Sequence, residues 1–172
     1  MRAAVFAVAT TLLAATAGCL GDEEDAAPAP GDPAFVRSPA LDVDNRSAHG
    51  QMRSHNAGQN CMHCHQARGP GLGRFTVGVT VLGPDGKPHA NPVLELYGAP
   101  PGTGAPVLVS LPGDALGNIF STDPQPFPDQ ARFVVVRSQD GTLRNQMPFP
   151  TESGACNQCH RPGFGVTLKR MM

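Results

Sequence analysis

Cys61-Met62-His63-Cys64-His65 and Cys156-Asn157-Gln158-Cys159-His160 share one order, Cys-x-x-Cys-His. Two thiols three residues apart on a helical turn lie on one side of it and can both bond one flat macrocycle. An imidazole directly after the second thiol can then reach a metal at the centre of that macrocycle. This order is the attachment pattern of c-type haem, with the His as an axial ligand to iron. The chain is therefore expected to carry two covalent haem c groups, one on Cys61 and Cys64 and one on Cys156 and Cys159. His65 and His160 are the expected proximal ligands. Two other chemistries use Cys-x-x-Cys pairs: a redox dithiol, and a four-Cys zinc site built from both pairs. A zinc site needs no His after each pair. A thioredoxin-like dithiol opens a helix in a βαβ chain, and that pattern is missing from this sequence.

Each iron has a second axial position, and four further His and one Met stand as candidates. His55 is the first choice. Ten residues separate it from His65, an extended reach of roughly 33–36 Å, so it can wrap to the opposite face of the same haem or serve the second. His49, six residues upstream, is the next candidate. Met147, ahead of Pro148 and nine residues before Cys156, is the other option, and a thioether there would raise the potential relative to a second His. His63 is expected at the surface and His89 in a turn. Gly154 and Gly163 are read as letting the backbone pass close to the second haem, and Arg161 as a possible propionate partner.

The elements that must position these residues are short. Phe75, Val77, Val79 and Val81 alternate with Thr76, Gly78 and Thr80, the period of a strand. Gly83-Pro84-Asp85-Gly86 is a turn. Further strands are expected at Val93–Tyr97, Val107–Leu111, Asn118–Ser121 and Arg132–Ser138. A hairpin turn at Gln139-Asp140-Gly141 then leads to a return strand over Thr142–Met147. Pro124, Pro126 and Pro128 exclude a central strand between them. The fold expected is mainly β: a small antiparallel β-sandwich flanked by short haem-binding segments with little helix.

The start of the chain reads as an export signal. Arg2 precedes an uncharged apolar run from Ala3 to Ala17, too short for a permanent membrane span. Ala17-Gly18-Cys19 resembles the lipobox of bacterial lipoproteins, with Thr16 where that family usually has Leu. Of the five Cys, the two motifs use four, and lipidation of Cys19 accounts for the fifth in an oxidising compartment. Leu20 rather than Asp follows it, which favours the outer membrane over the inner. The protein is thus expected to be exported and membrane-anchored, in the periplasm or at the cell surface. Export agrees with the motifs, because haem is attached covalently outside the bacterial cytoplasm.

The divisions expected are a signal peptide at 1–18, a lipidated N-terminus and flexible linker at 19–48, and a first haem-binding segment at 49–73. The β-sandwich covers 74–147, and the second haem-binding segment with a C-terminal tail covers 148–172. Asp22 to Asp25 reads as solvated charge. Thirteen Lys and Arg stand against fourteen Asp and Glu, with no basic patch for nucleic acid.

The stretch FTVGVTVLGPDGKPHANPVLELY, with GNIF and ARFVVV after it, resembles the carboxypeptidase regulatory-like, transthyretin-related β-sandwich. Flanked by SHNAGQNCMHCH and SGACNQCH, residues 53–162 resemble exported dihaem cytochromes of metal-respiring and myxobacterial-type bacteria. The resemblance implies electron transfer with redox partner proteins of the envelope. Two other functions stay open. One is a dihaem redox enzyme, peroxidase-like or a nitrogen-oxide reductase, which needs an open iron position and acid–base groups. The other is a surface or filament module that carries haem.

Overall fold

The computed structural model describes residues 28–170. The signal run, Cys19 and the acidic stretch at 22–25 lie outside the described residues. β-branched residues dominate the two strands at the centre of the core, Val77–Leu82 and Phe133–Arg137, as a pleated, buried surface favours. β1 (Val77–Leu82), β2 (Val93–Tyr97), β3 (Val107–Pro112), β4 (Asn118–Ser121), β5 (Phe133–Arg137) and β6 (Leu143–Gln146) fall close to the six expected strands. Two short strands, β7 (Val166–Thr167) and β8 (Lys169–Arg170), follow the only α-helical turn among the described residues, α1 (Cys156–Cys159).

The strands form two sheets, one ordered β4-β1-β7 and one ordered β3-β2-β5-β6-β8. Side chains at every second position of β1 and β2 meet between them: Val77, Val79 and Val81 face Leu94 and Leu96, joined by Leu111, Ile119, Val134 and Val136. The architecture is a mainly β sandwich, as the strand pattern indicates. The β5–β6 hairpin turns where Asp-Gly marks it. Gly141 takes φ +75°, and the Asp140 carboxylate accepts from Ser138 Oγ and from the Thr142 backbone and hydroxyl.

Three features depart from the sequence reading. The tail does not trail beyond the sandwich. β7 runs parallel to β1 and β8 antiparallel to β6, and Leu168 between them is fully buried in the core. Five residues, VTLKR, are too few to show a period, so a strand was not legible there. The parallel β1–β7 pair also makes the sandwich less than wholly antiparallel.

The expected linker is fastened down within the described residues. The Arg37 side chain is 4% exposed; its guanidinium donates to Asp42 Oδ1 at 2.6 Å, to the Leu41 carbonyl at 2.8 Å and to the Gly69 carbonyl. Ser47 is buried, with its hydroxyl 2.6 Å from the Pro112 carbonyl.

The first strand starts at Val77, not at Phe75. The Phe75 N–H is taken by the His65 carbonyl at 3.0 Å, so this residue belongs to the first motif's surroundings.

Candidate functional site

Both motifs close a helical turn, a 3-10 turn over Cys61–His63 in the first and α1 in the second. The His65 N–H donates to the Cys61 carbonyl at 3.0 Å, and the His160 N–H donates to the Cys156 carbonyl at 2.9 Å. Asn60 caps the first turn, its side chain accepting from the Met62 N–H at 3.2 Å. In each turn, residues i and i+3 share a face, which sets the two Cys of a pair side by side.

Both turns also pack against β1, the first over its outer face and the second beside its edge, where Cys156 packs on the core. Gly78 and Thr80 point outward, yet both are buried, because the motif segments cover them. A Cβ on Gly78 would sit 3.0 Å from Cys61 Cβ. The Gly78 N–H donates to the Gly154 carbonyl at 2.9 Å, and Gly78 pairs with Ala155, the residue before Cys156. The two segments flank the sandwich in sequence but meet at β1.

The imidazoles are held alike. His65 Nδ1 lies 3.0 Å from the Leu72 carbonyl and His160 Nδ1 3.3 Å from the Phe164 carbonyl. A carbonyl only accepts, so Nδ1 carries the proton in both rings and Nε2 keeps its lone pair. Metal-binding His residues are oriented by the same kind of second bond. Each ring stacks on a Phe: His65 on Phe75 at 3.9 Å between centroids, and His160 on Phe164 at 5.3 Å, both within 6° of parallel. Burial pushes the His65 pKa down, against bonds to Leu72 and Gly73 that raise it. The ring is thereby kept neutral, the form that ligates a metal.

Each motif opens on its own cavity. The first, about 910 Å³, is walled by Cys61, Cys64, His65, His55, Leu72, Phe75 and Phe120, with Arg53 and Asn45 among its polar residues. The second, about 750 Å³, is walled by Cys156, Cys159, His160, Met147, Phe149 and Phe164 and reaches core residues Val79, Leu94 and Val134. Both volumes fall in the range of cofactor sites.

The candidate second ligands divide between the cavities. His55 faces the first, its ring centroid 6.0 Å from that of His65 and tilted 33°. Two imidazoles bonded to opposite sides of one metal ion at about 2 Å each have centroids roughly 6 Å apart. Met147 lines the second cavity with His160. His49 joins neither; it is exposed, with Nε2 2.7 Å from Gln139 Oε1 beside the β5–β6 turn. His63 is exposed at the rim of the first cavity. His89 lies in the turn after β1, its N–H on the Val81 carbonyl.

Gly154, Gly163 and Arg161 each take a place around the second motif. Gly154 is required by a strand and not by a macrocycle, since a Cβ there would lie 1.9 Å from the Thr76 carbonyl oxygen. Gly163 lines the second cavity and takes φ +91°, a conformation that favours glycine. Arg161 donates to the Gln158 carbonyl at 2.8 Å at the end of α1.

The thiols themselves discriminate among chemistries. Burial raises the Cys61 pKa and pushes that of Cys156 up to about 12. Reactive dithiols work as thiolates, in surroundings that lower the pKa. Sites that disfavour charge suit a neutral thioether sulfur. Among the described residues, no three His, Cys, Asp or Glu side chains converge as a metal-holding group. A haem needs only one or two protein ligands on its iron, and the residues present fit it. Comparison with protein-family models, with curated proteins and with solved structures finds no match to this chain.

Proposed function

We propose that this protein is an exported dihaem c-type cytochrome that relays single electrons in the bacterial cell envelope. The observation that carries the reading is the repeated arrangement of the motifs: a helical turn, a carbonyl-locked imidazole and a cavity of cofactor size, twice against one strand. Bound haem supplies reversible one-electron exchange at its iron.

The chain's own residues supply the rest. Cys61, Cys64, Cys156 and Cys159 anchor the two groups, and His65 and His160 present Nε2 to them. His55 completes the first site and Met147 the second, giving an imidazole pair and an imidazole–thioether pair. A thioether ligand from Met147 would raise the potential of the second group relative to one held by two imidazoles. Phe75 and Phe120 line the first cavity, and Phe149 and Phe164 the second. Filled axial positions favour a carrier over an enzyme.

Cys19 would tether the chain by lipid to the membrane surface, with the Pro- and Ala-rich segment as spacer. Among the described residues, no helix is long and apolar enough to cross a membrane. Its partners would be other redox proteins of the envelope.

The test is optical. Purified exported protein, once reduced, is expected to show the narrow bands of low-spin c-type haem and to keep them under carbon monoxide. A colourless sample rejects haem. A prompt response to carbon monoxide rejects filled axial positions and favours a redox enzyme.

A further inference from the structure

Asn157 occupies the first variable position of the second motif, a place where any residue satisfies the pattern, yet it is only 2% exposed. A polar side chain buried that far is costly unless its bonding capacity is met. All of it is met by the other half of the site. Asn157 Oδ1 accepts from the Thr80 N–H at 3.1 Å, and Nδ2 donates to the Gln59 carbonyl at 2.8 Å and to Thr80 Oγ1 at 3.2 Å. The Thr80 hydroxyl donates to Asn118 Oδ1 at 2.6 Å and accepts from the Gly58 N–H at 2.8 Å. Asn118 Nδ2 reaches Ser54 Oγ at 2.8 Å. Ser54, Gly58 and Gln59 bracket His55 on the loop that leads into Cys61. The second motif thus grips, through β1, both ends of the loop that presents His55.

We propose that Asn157 and Thr80 are positioning residues that lock the two haem segments into one unit, so that the two haems form a coupled pair of fixed spacing and His55 is held to the first iron from the second motif. This rests on the haem reading and goes beyond it, since two haems could also sit on one chain without a fixed relation. A network buried on this scale can assume one arrangement and few others, because each member left unpaired would keep the full cost of its desolvation. Gly78 adds the steric half of the lock, holding Cys61 against the strand with no room for a side chain.

The experiment uses the full exported protein with haem count determined first by mass. Two neighbouring porphyrins give a bisignate couplet in Soret circular dichroism whose shape follows their distance and angle. Thr80→Val removes the hydroxyl at constant volume, and Thr80→Ser keeps it. Asn157→Ala removes the bridge, and Ser138→Ala removes an equally buried hydroxyl in the remote β5–β6 turn. The expected result is two haems in every variant. The couplet is lost and the low-spin signal of the first site shifts in Thr80→Val and Asn157→Ala, while Thr80→Ser and Ser138→Ala match the wild type. If Asn157→Ala does not accumulate, the Thr80 pair decides alone. An unchanged couplet in Thr80→Val, with only its melting temperature lowered, overturns the proposal. So does a wild-type protein with two haems and no couplet, which leaves the haem reading intact; a wild-type protein with no haem overturns both.

Discussion

Gly71 lacks a side chain because the His65 imidazole occupies the place a methyl group would take. A Cβ there would lie 2.6 Å from His65 Cγ and 2.7 Å from Nδ1, where ordinary contact begins at 3.4 Å. The Gly71 backbone is outside the left-handed region, so Gly71→Ala brings no conformational penalty and the contact is the whole perturbation. The ring has little freedom to retreat. It is stacked on Phe75 on one face and tied through Nδ1 to the Leu72 carbonyl at 3.0 Å. Overpacking of this kind costs about 1–3 kcal/mol, of which a broken His65–Leu72 bond accounts for about 1 kcal/mol. In a chain of this length, each kcal/mol lowers the melting temperature by about 2–4 °C. Thermal unfolding followed by far-ultraviolet circular dichroism reads the energy, and low-temperature electron paramagnetic resonance reads the two irons separately. Gly71→Ala is expected to lower the melting temperature and shift one low-spin signal while the other stays. Gly141→Ala, where a Cβ meets open space but φ is +75°, is expected to lower the melting temperature by a similar amount and shift neither signal. A Gly71→Ala protein with an unchanged melting temperature and spectrum would refute the placement of His65.

His55→Ala is expected to convert the first iron to a high-spin, carbon-monoxide-binding form, whereas His49→Ala leaves both signals as they are; the same resonance spectra check both. Met147→Leu is expected to lower the potential of one haem and leave the other, and a redox titration in which neither midpoint moves would remove Met147 from the second site. In protein made without haem, iodoacetamide at pH 8 is expected to label exposed Cys159 well before Cys156, whose thiol stays protonated up to about pH 12; peptide mapping with time reads the order. Glu95 is raised by burial but lowered more by bonds from Arg137 at 2.7 Å and Tyr97 at 2.8 Å, for a net lowered pKa. Its contribution is present above the ordinary glutamate value and lost as pH falls through the lowered one. Glu95→Gln is therefore expected to be less stable by about 1–3 kcal/mol at neutral pH, with the difference shrinking in acid; a gap independent of pH in chemical denaturation would contradict this.

Much of the frame was legible because strands leave a period. Val77, Val79 and Val81 on β1, and Val134 and Val136 on β5, repeat every second residue and are bounded by Gly, Pro and Asp turns. The two Cys-x-x-Cys-His segments were legible as candidate sites because the pattern is local and set by a single helical turn. What escaped was long-range. Thr80 reads as the polar side of a half-exposed strand, and only the docking of two distant segments buries it. Asn157 reads as a free position inside a motif. Leu168 reads as part of a tail, and Arg37 as part of a linker, because local composition holds no record of a partner dozens of residues away. His49 and His55 differ in sequence only by their distance from Cys61; the path of the loop separates them, carrying His55 to the first cavity and His49 to the β5–β6 turn.

The central claim is tested most directly by the intact mass of the mature exported protein, with peptide mapping of its cysteines. The account predicts the mass of the polypeptide plus two haems, with Cys61, Cys64, Cys156 and Cys159 all in thioether linkage and none open to alkylation. A mass equal to the processed chain alone, with those four thiols free to react, would contradict it.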